Sequence, residues 1–278
     1  MLRIGAYRVF VHMAVREAMA FRAQFLGSLY LSGLFLLLSY YLWSAVYGEQ
    51  EELAGIHIED MMTYLVVSAL VQGAVIGGTL TTLGENYVSG SIGTELIRPL
   101  SFPLVCFART MGSVTLYLIL RGLPVFLLGA ILLTIQWPAP TATIAFLISL
   151  AQALVVYFLL EFTLAQLTLF TETHSAAAQL WGLMVSFGTG SLIPLPFFPD
   201  TLRAILFALP FQSMFYTPIN IFLGGTLEVG PITETLMAAG LPSILAALLC
   251  QTIWIVLLVP VAAGVWRFSS QRLVVQGG

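Results

Sequence analysis

The sequence predicts an all-α membrane protein: six transmembrane helices with cytoplasmic N and C termini, an amphipathic entry helix, and re-entrant outer helices between spans five and six. Three observations carry that prediction. Charged residues make up 8% and apolar residues 59% of the 278 positions, against roughly 25% and 45–50% in soluble domains, so water cannot be the solvent for most of the surface. Apolar runs recur at about the 20-residue length that a helix needs to cross a hydrocarbon core. The arginines gather almost entirely on one side of the resulting arrangement.

All ten basic residues are arginine and lysine is absent. That excludes a lysine-dependent phosphate loop and Schiff-base chemistry, so the chain is expected to have no ATP site of its own and not to be an enzyme. Cys106 and Cys250 fall within or beside apolar runs and read as small buried hydrophobes. One transmembrane domain, 1–278, accounts for the whole chain, with no soluble domain, long linker, low-complexity run or internal repeat.

Met1 to Arg22 carries Arg3, Arg8, Arg16 and Arg22 without the short apolar segment and small-residue site of a removable leader. Tyr7, Phe10, Val11, Ala14, Ala18 and Phe21 share one helical face, opposite Arg8, His12 and Arg16, which suits a helix lying along the inner membrane surface. The plainer alternative is a basic flank that fixes orientation. Span one, Gln24 to Tyr47, ends in Tyr40, Tyr41, Trp43 and Tyr47, an expected interfacial aromatic belt. The loop Gly48 to Asp60 has Glu49, Glu51, Glu52, Glu59 and Asp60 but no arginine and should face outward. With His57 it could suggest a metal site, but no ligand spacing is recognisable, and no metal is expected.

Span two, Met61 to Leu83, sets Ala69, Gly73, Gly77 and Thr81 at four-residue intervals, a small-residue stripe that admits another helix closely. Ser68, Gln72, Thr79 and Thr82 either line a solute passage or bond to neighbouring helices. Between spans two and three, Gly84 to Pro103 is the longest polar interruption. It combines Glu85, Glu95, Arg98, three glycines and the rigid Pro99 and Pro103, a composition for a short surface element that contacts another protein.

Span three, Val105 to Ile135, is entered at Arg109 and interrupted by Arg121, Gly122 and Pro124. After the turn Gln136-Trp137-Pro138-Ala139-Pro140, span four returns from Thr141 to Phe170 with Glu161 inside it. At ~1.5 Å per residue Arg121 and Glu161 reach similar depths, roughly 18 and 15 Å from the inner boundary, so an ion pair is expected. The pair is either glue in the bundle or part of a pathway. If the two groups pair, Arg121→Leu alone should destabilise the protein and the added change Glu161→Leu should restore it.

Span five runs from Ala176 to Leu192. Gly188, Gly190, Pro194, Pro196, Pro199, Pro210 and Pro218 then break the chain into pieces too short to cross the core. Such backbone suits short helices dipping in from the outer face; a seventh span would put the carboxyl end outside, against the charges. After a loop with Glu228 and Glu234, span six runs from Leu241 to Trp266. Arg3, Arg8, Arg16, Arg22, Arg98, Arg109, Arg267 and Arg272 then lie inside, Arg203 alone outside, and Arg121 within the membrane.

The order of basic entry, six spans, polar loop and Gly/Pro-broken outer segment resembles a type-2 ABC exporter permease. Ser89-Gly90-Ser91-Ile92 with Leu96-Ile97-Arg98-Pro99-Leu100, Ile193-Pro194-Leu195-Pro196-Phe197-Phe198-Pro199 with Leu209-Pro210-Phe211, and Val275-Gln276-Gly277-Gly278 are similar to the bacterial subgroup that accompanies daunorubicin-exporter-like ATPases. The likeness spans nearly the whole chain.

That resemblance implies a permease subunit, in the bacterial inner membrane, of an ATP-driven exporter working by alternating access. A separate ABC ATPase dimer would hold ATP and Mg, with no cofactor in this chain. The coupling helix would lie within Glu85 to Leu100, with Glu85, Tyr87, Gly90, Glu95, Arg98 and Pro99 as contact residues. Gln72, Thr79, Ser186 and Thr189 would line the substrate path. Pro194, Pro196, Phe197, Phe198, Pro199 and Pro210 would belong to an outer gate. A second permease, commonly a homologous sister, and the lipid bilayer are the implied partners, with no nucleic acid. A proton-driven transporter using Glu161 is the alternative, but such a protein normally shows an internal repeat and several charges at mid-depth. A membrane-embedded enzyme lacks a catalytic cluster here.

Overall fold

The computed structural model of the chain describes residues 22–75, 80, 83–84, 92–93, 101–133, 135–167 and 174–271. The entry helix expected before Arg22 and most of the polar loop lie outside the described residues.

Helix α1 (Arg22–Tyr47) leads to a two-stranded hairpin, β1 (Glu52–Leu53) and β2 (Ile56–His57). Its two-residue turn holds Ala54 at φ 51° and Gly55 at φ 76°, the doubly left-handed geometry that matches the twist of paired strands. The register sets Glu52 opposite His57, and His57 Nε2 lies 3.5 Å from Glu52 Oε2. Among the described residues no group of three metal-ligating side chains converges.

Helix α2 (Ile58–Val75) is the hub of the bundle. Met61, Val66, Val67 and Val71 are each 0% exposed, because α1, the third-span helices, α5 and α8 all pack on it. Helix α3 (Phe102–Tyr117) has Ser101 as N-cap and a proline in its first turn, where the missing N–H costs nothing. It passes through a π-helical turn (Leu118–Gly122) into α4 (Leu123–Leu132). Pro124 cannot donate the next α-type bond, and the Leu123 N–H reaches back five residues to the Leu118 carbonyl. Gly129 on α4 lets α1 and α2 close in: a Cβ there would stand 3.0 Å from both Leu36 and Val66.

Helix α5 (Pro140–Leu167) pairs along its length with the last helix, α10 (Ser243–Ser270). Between them in sequence lie α6 (His174–Gly188), a 3-10 turn (Leu195–Phe197), α7 (Asp200–Ala208), a second 3-10 turn (Pro210–Met214), α8 (Tyr216–Phe222) and α9 (Pro231–Ala238). The expected run of short helices is present, and α9, which the sequence reading took as loop, adds one more.

Four helical stretches among the described residues are long and apolar enough to cross a membrane: Leu29–Tyr47, Phe102–Leu132, Pro140–Gln166 and Ser243–Ser270. Helix α6 is apolar but shorter, and α2 begins with the acids Glu59 and Asp60. Leu31, Leu38 and Leu42 on α1 and Val256 on α10 are more than half exposed, as expected of faces solvated by lipid. The aromatic cluster at the end of α1 divides. Tyr41 is exposed, whereas Trp43 and Tyr47 are buried; Trp43 packs at a tilt on Phe197, ring centroids 4.7 Å apart, and Tyr47 donates to the Ile56 carbonyl at 3.0 Å.

Candidate functional site

Arg121 is the one described arginine within a membrane-crossing stretch and away from its ends. It lies eleven residues before the end of α4, so about 16 Å below that end at a helical rise. Its Nε donates to Ser32 Oγ on α1 at 2.7 Å. No ion pair joins it to Glu161 among the described residues. Glu161 is 2% exposed on α5, while Arg121 is turned toward α1 and α2. The π-helical turn inserts an extra residue into the helix, which changes the side-chain direction by about 100°.

Arg121 lines a crevice between α1, α2 and the chain just after α6, of about 30 Å³. Ser32 and Ser39 from α1, Ser68 and Gln72 from α2, and Ser191 supply its polar wall. Ser32 and Ser39 are two helical turns apart and Ser68 and Gln72 one, so each pair shares a helix face. Phe35, Leu36, Leu65 and Leu192 form the apolar wall. A cavity of that size admits one or two waters or a small polar head, not a whole solute.

Of the four residues expected on a substrate path, Gln72 lines this crevice and Thr79 lies outside the described residues. Ser186 bonds back to the Gly182 carbonyl at 2.8 Å. Thr189 is 0% exposed and likewise bonds back along its helix, to the Val185 carbonyl. Its own carbonyl accepts the Tyr216 N–H at 3.2 Å. Ser32, Ser39 and Ser191 are the polar positions that the sequence reading passed over. Only the seven-residue spacing on α1 could have pointed to the first two.

The expected outer-gate residues are brought together. Pro194 and Pro196 are buried, Phe197 packs on Trp43, Phe198 is half-buried, Pro199 caps α7, and the buried Pro210 opens the second 3-10 turn. The segment is held largely through polar groups. Arg203 meets Asp200 at 2.7 Å, Glu228 at 3.2 Å and the Pro196 carbonyl at 3.3 Å. Tyr216 donates to the Glu228 carbonyl at 2.8 Å, and Asn220 exchanges two bonds with the backbone of Leu227. Tyr64 on α2 donates to the Gly190 carbonyl at 2.7 Å, at a glycine whose φ of +80° few other residues adopt. The broken segment is therefore pinned directly to the central helix.

The expected coupling residues Glu85, Tyr87, Gly90, Glu95, Arg98 and Pro99 lie outside the described residues. Nearby, Leu83 and Ile92 are buried, at 2% and 4% exposure.

Long apolar helices around a buried central one, capped by a polar-braced segment, define a multi-pass membrane protein. The chain belongs to the ABC-2 family of transporter proteins, whose family model matches residues 34–277. It is thus the permease type of ABC-transporter subunit, which lacks an ATPase domain of its own and works with an ABC ATPase. No curated protein and no solved structure matches the chain.

Proposed function

We propose that the chain is the six-span permease of an ATP-driven exporter in the bacterial inner membrane, with both termini inside and a single transmembrane domain. The observation that carries this reading is the family match over 34–277. The one-sided distribution of arginine supports the orientation. An ATPase dimer holding ATP and Mg is the engine, of the daunorubicin-exporter-like kind that the loop and outer motifs resemble, and a sister permease completes the complex.

ATP-driven closure of that dimer pushes the element within Glu85 to Leu100, and the paired bundles shift from inward-open to outward-open. A ligand moves such an equilibrium only by its differential contact with the two states. The lever must therefore be stiff, which Pro99 and Pro103 supply. Substrate passes the polar positions near Gln72 and Thr79 and leaves by a re-entrant outer segment, where Arg203 and the prolines form the gate. Nothing in the family match favours a proton-driven transporter built on Glu161.

The test is recovery of the chain from its native membrane in mild detergent with mass spectrometry of its companions. An ATPase subunit should be recovered, and lost when Glu95 and Arg98 are both charge-reversed while membrane insertion persists. Recovery of the chain alone, stable and without a nucleotide-binding partner, would overturn the reading.

A further inference from the structure

We propose that the crevice at Arg121 binds the carboxylate of an anionic amphiphile. A guanidinium carries five N–H donors, and among the described residues Ser32 is the hydrogen-bond partner of Arg121. The described residues lining the crevice include no acid, so among them the positive charge of Arg121, about 16 Å from the end of its membrane-crossing stretch, has no opposite charge beside it. That is a costly arrangement unless an anion or a polar cavity meets it. A second group points the same way. Ser68, 8% exposed, lines the crevice, and its hydroxyl has no hydrogen-bond partner among the described residues.

Size and charge select the ligand. About 30 Å³ fits a compact head but not a solute body, and Phe35, Leu36, Leu65 and Leu192 offer apolar surface beside it. A carboxylate neutralises one guanidinium and matches its planar fork. A phosphate dianion would leave an excess negative charge in a low-dielectric site, and a phosphodiester, though singly charged, is a bulkier tetrahedral head than a crevice of about 30 Å³ favours. Arg121 lies within the π-helical turn, a feature frequent at functional sites. That the bound amphiphile is cargo rests on the permease reading; the binding itself does not.

The experiment uses the full chain, purified with whatever subunits accompany it, in phosphatidylcholine nanodiscs. The probes are dodecanoate carrying a spin label at its far end and the methyl ester of the same molecule. The immobilised fraction is titrated at a pH where the acid is ionised. Saturable binding of the acid is expected, weaker by about tenfold or more for the ester and for Arg121→Gln, since a charge-assisted contact is lost. Arg121→Lys should recover part of the binding, and Ser68→Ala should weaken it a few-fold.

Equal binding of acid and ester, or an unchanged acid preference in folded Arg121→Gln, overturns the proposal and leaves Arg121 as a brace for Ser32. Should Arg121→Gln fail to fold, Ser68→Ala and Gln72→Leu carry the test, and an unchanged acid preference in both overturns it. Displacement of the probe by phosphatidylglycerol in the discs gives the site to a lipid phosphate and overturns the carboxylate assignment. Co-purification of an ATPase is scored separately. Its presence without acid preference sinks this inference alone, and its absence beside clear acid binding sinks the permease reading alone.

Discussion

Two polar inclusions sit inside the apolar bundle, and they are built on opposite plans. Between α5 and α10, Gln251 is 0% exposed. It accepts from Ser149 Oγ at 2.8 Å and donates to the Ser149 carbonyl at 3.2 Å and the Ser213 carbonyl at 2.8 Å. That cluster ties two spans to the outer segment. Across the bundle, Arg121 has far more donor capacity and meets Ser32 at the rim of a crevice. The Gln251 amide is glue, because its oxygen and both its N–H bonds are already in use, although the Ser213 hydroxyl beside it has no hydrogen-bond partner among the described residues. An open network costs stability and keeps binding capacity, which is the usual relation between strength and function.

The largest expected effect comes from breaking the closed inclusion. Gln251→Ala removes three hydrogen bonds and leaves a hole between α5 and α10, so a loss of about 2–4 kcal/mol is expected. It would be read as a fall in the unfolding midpoint in detergent. A change under about half that size would mean that water fills the hole and the cluster is not glue.

The open inclusion can be attacked through its packing. Gly129→Ala places a methyl against Leu36 and Val66 at 3.0 Å, and Val66 is 0% exposed. The three helices must spread, at about 1–3 kcal/mol. The same measurement on Gly33→Ala is the control, since its Cβ would meet only Leu128 at 3.7 Å.

Replacing the charge itself should matter less for stability. Arg121→Met is expected to lie within about 1 kcal/mol of the parent, or above it, because a flexible apolar chain takes the place of a charge held at depth. A large loss would instead show that the guanidinium braces the bundle as Gln251 does, and the two inclusions would then be one kind.

The smallest effect lies at the head of α2. Burial, and to a lesser degree the neighbouring Glu59, hold the Asp60 carboxyl above its ordinary range, with His57 opposing. The folded state therefore keeps this proton longer than the unfolded chain does. The Asp60 contribution to stability is greatest below the ordinary carboxylate pKa, about 4. It declines as pH rises from there through the raised folded value. Unfolding midpoints across that window should show a shallow downward slope that Asp60→Asn removes. An unchanged slope would assign it to another acid.

Much of the fold was legible in the sequence because its punctuation is chemical. Proline stands in the first turn of α3 and of α4 and opens α5, and the Gly/Pro-rich stretch after α6 breaks into short helices as expected. The i, i+3 pair of Asp200 and Arg203 was not singled out, although its spacing was open to the same reasoning. Glu228 was not readable, because only the return of the chain past α8 brings it to Arg203. The crevice was only partly legible. Gln72 was singled out, but Ser32, Ser39 and Ser191 come from segments far apart in sequence, and lone serines in apolar runs resemble packing residues. The expected meeting of Arg121 with Glu161 came from counting depth along two helices. Depth follows from residue number, but direction also depends on hydrogen-bond register, which the count took to be uniform.

That same turn makes α3 and α4 a single rod cut into two rotational phases. Below Leu118 the residues facing a given neighbour follow one numbering, and above Gly122 they follow another, offset by about 100°. Removing one residue between those points would turn the wide turn back into an α-helical one and bring both halves of the rod under one numbering. Each end would keep the neighbours it has: the upper end its contacts to α1 and α2, the lower end its place beside the polar loop. The extra residue is thus a local shim that lets one rod present two faces.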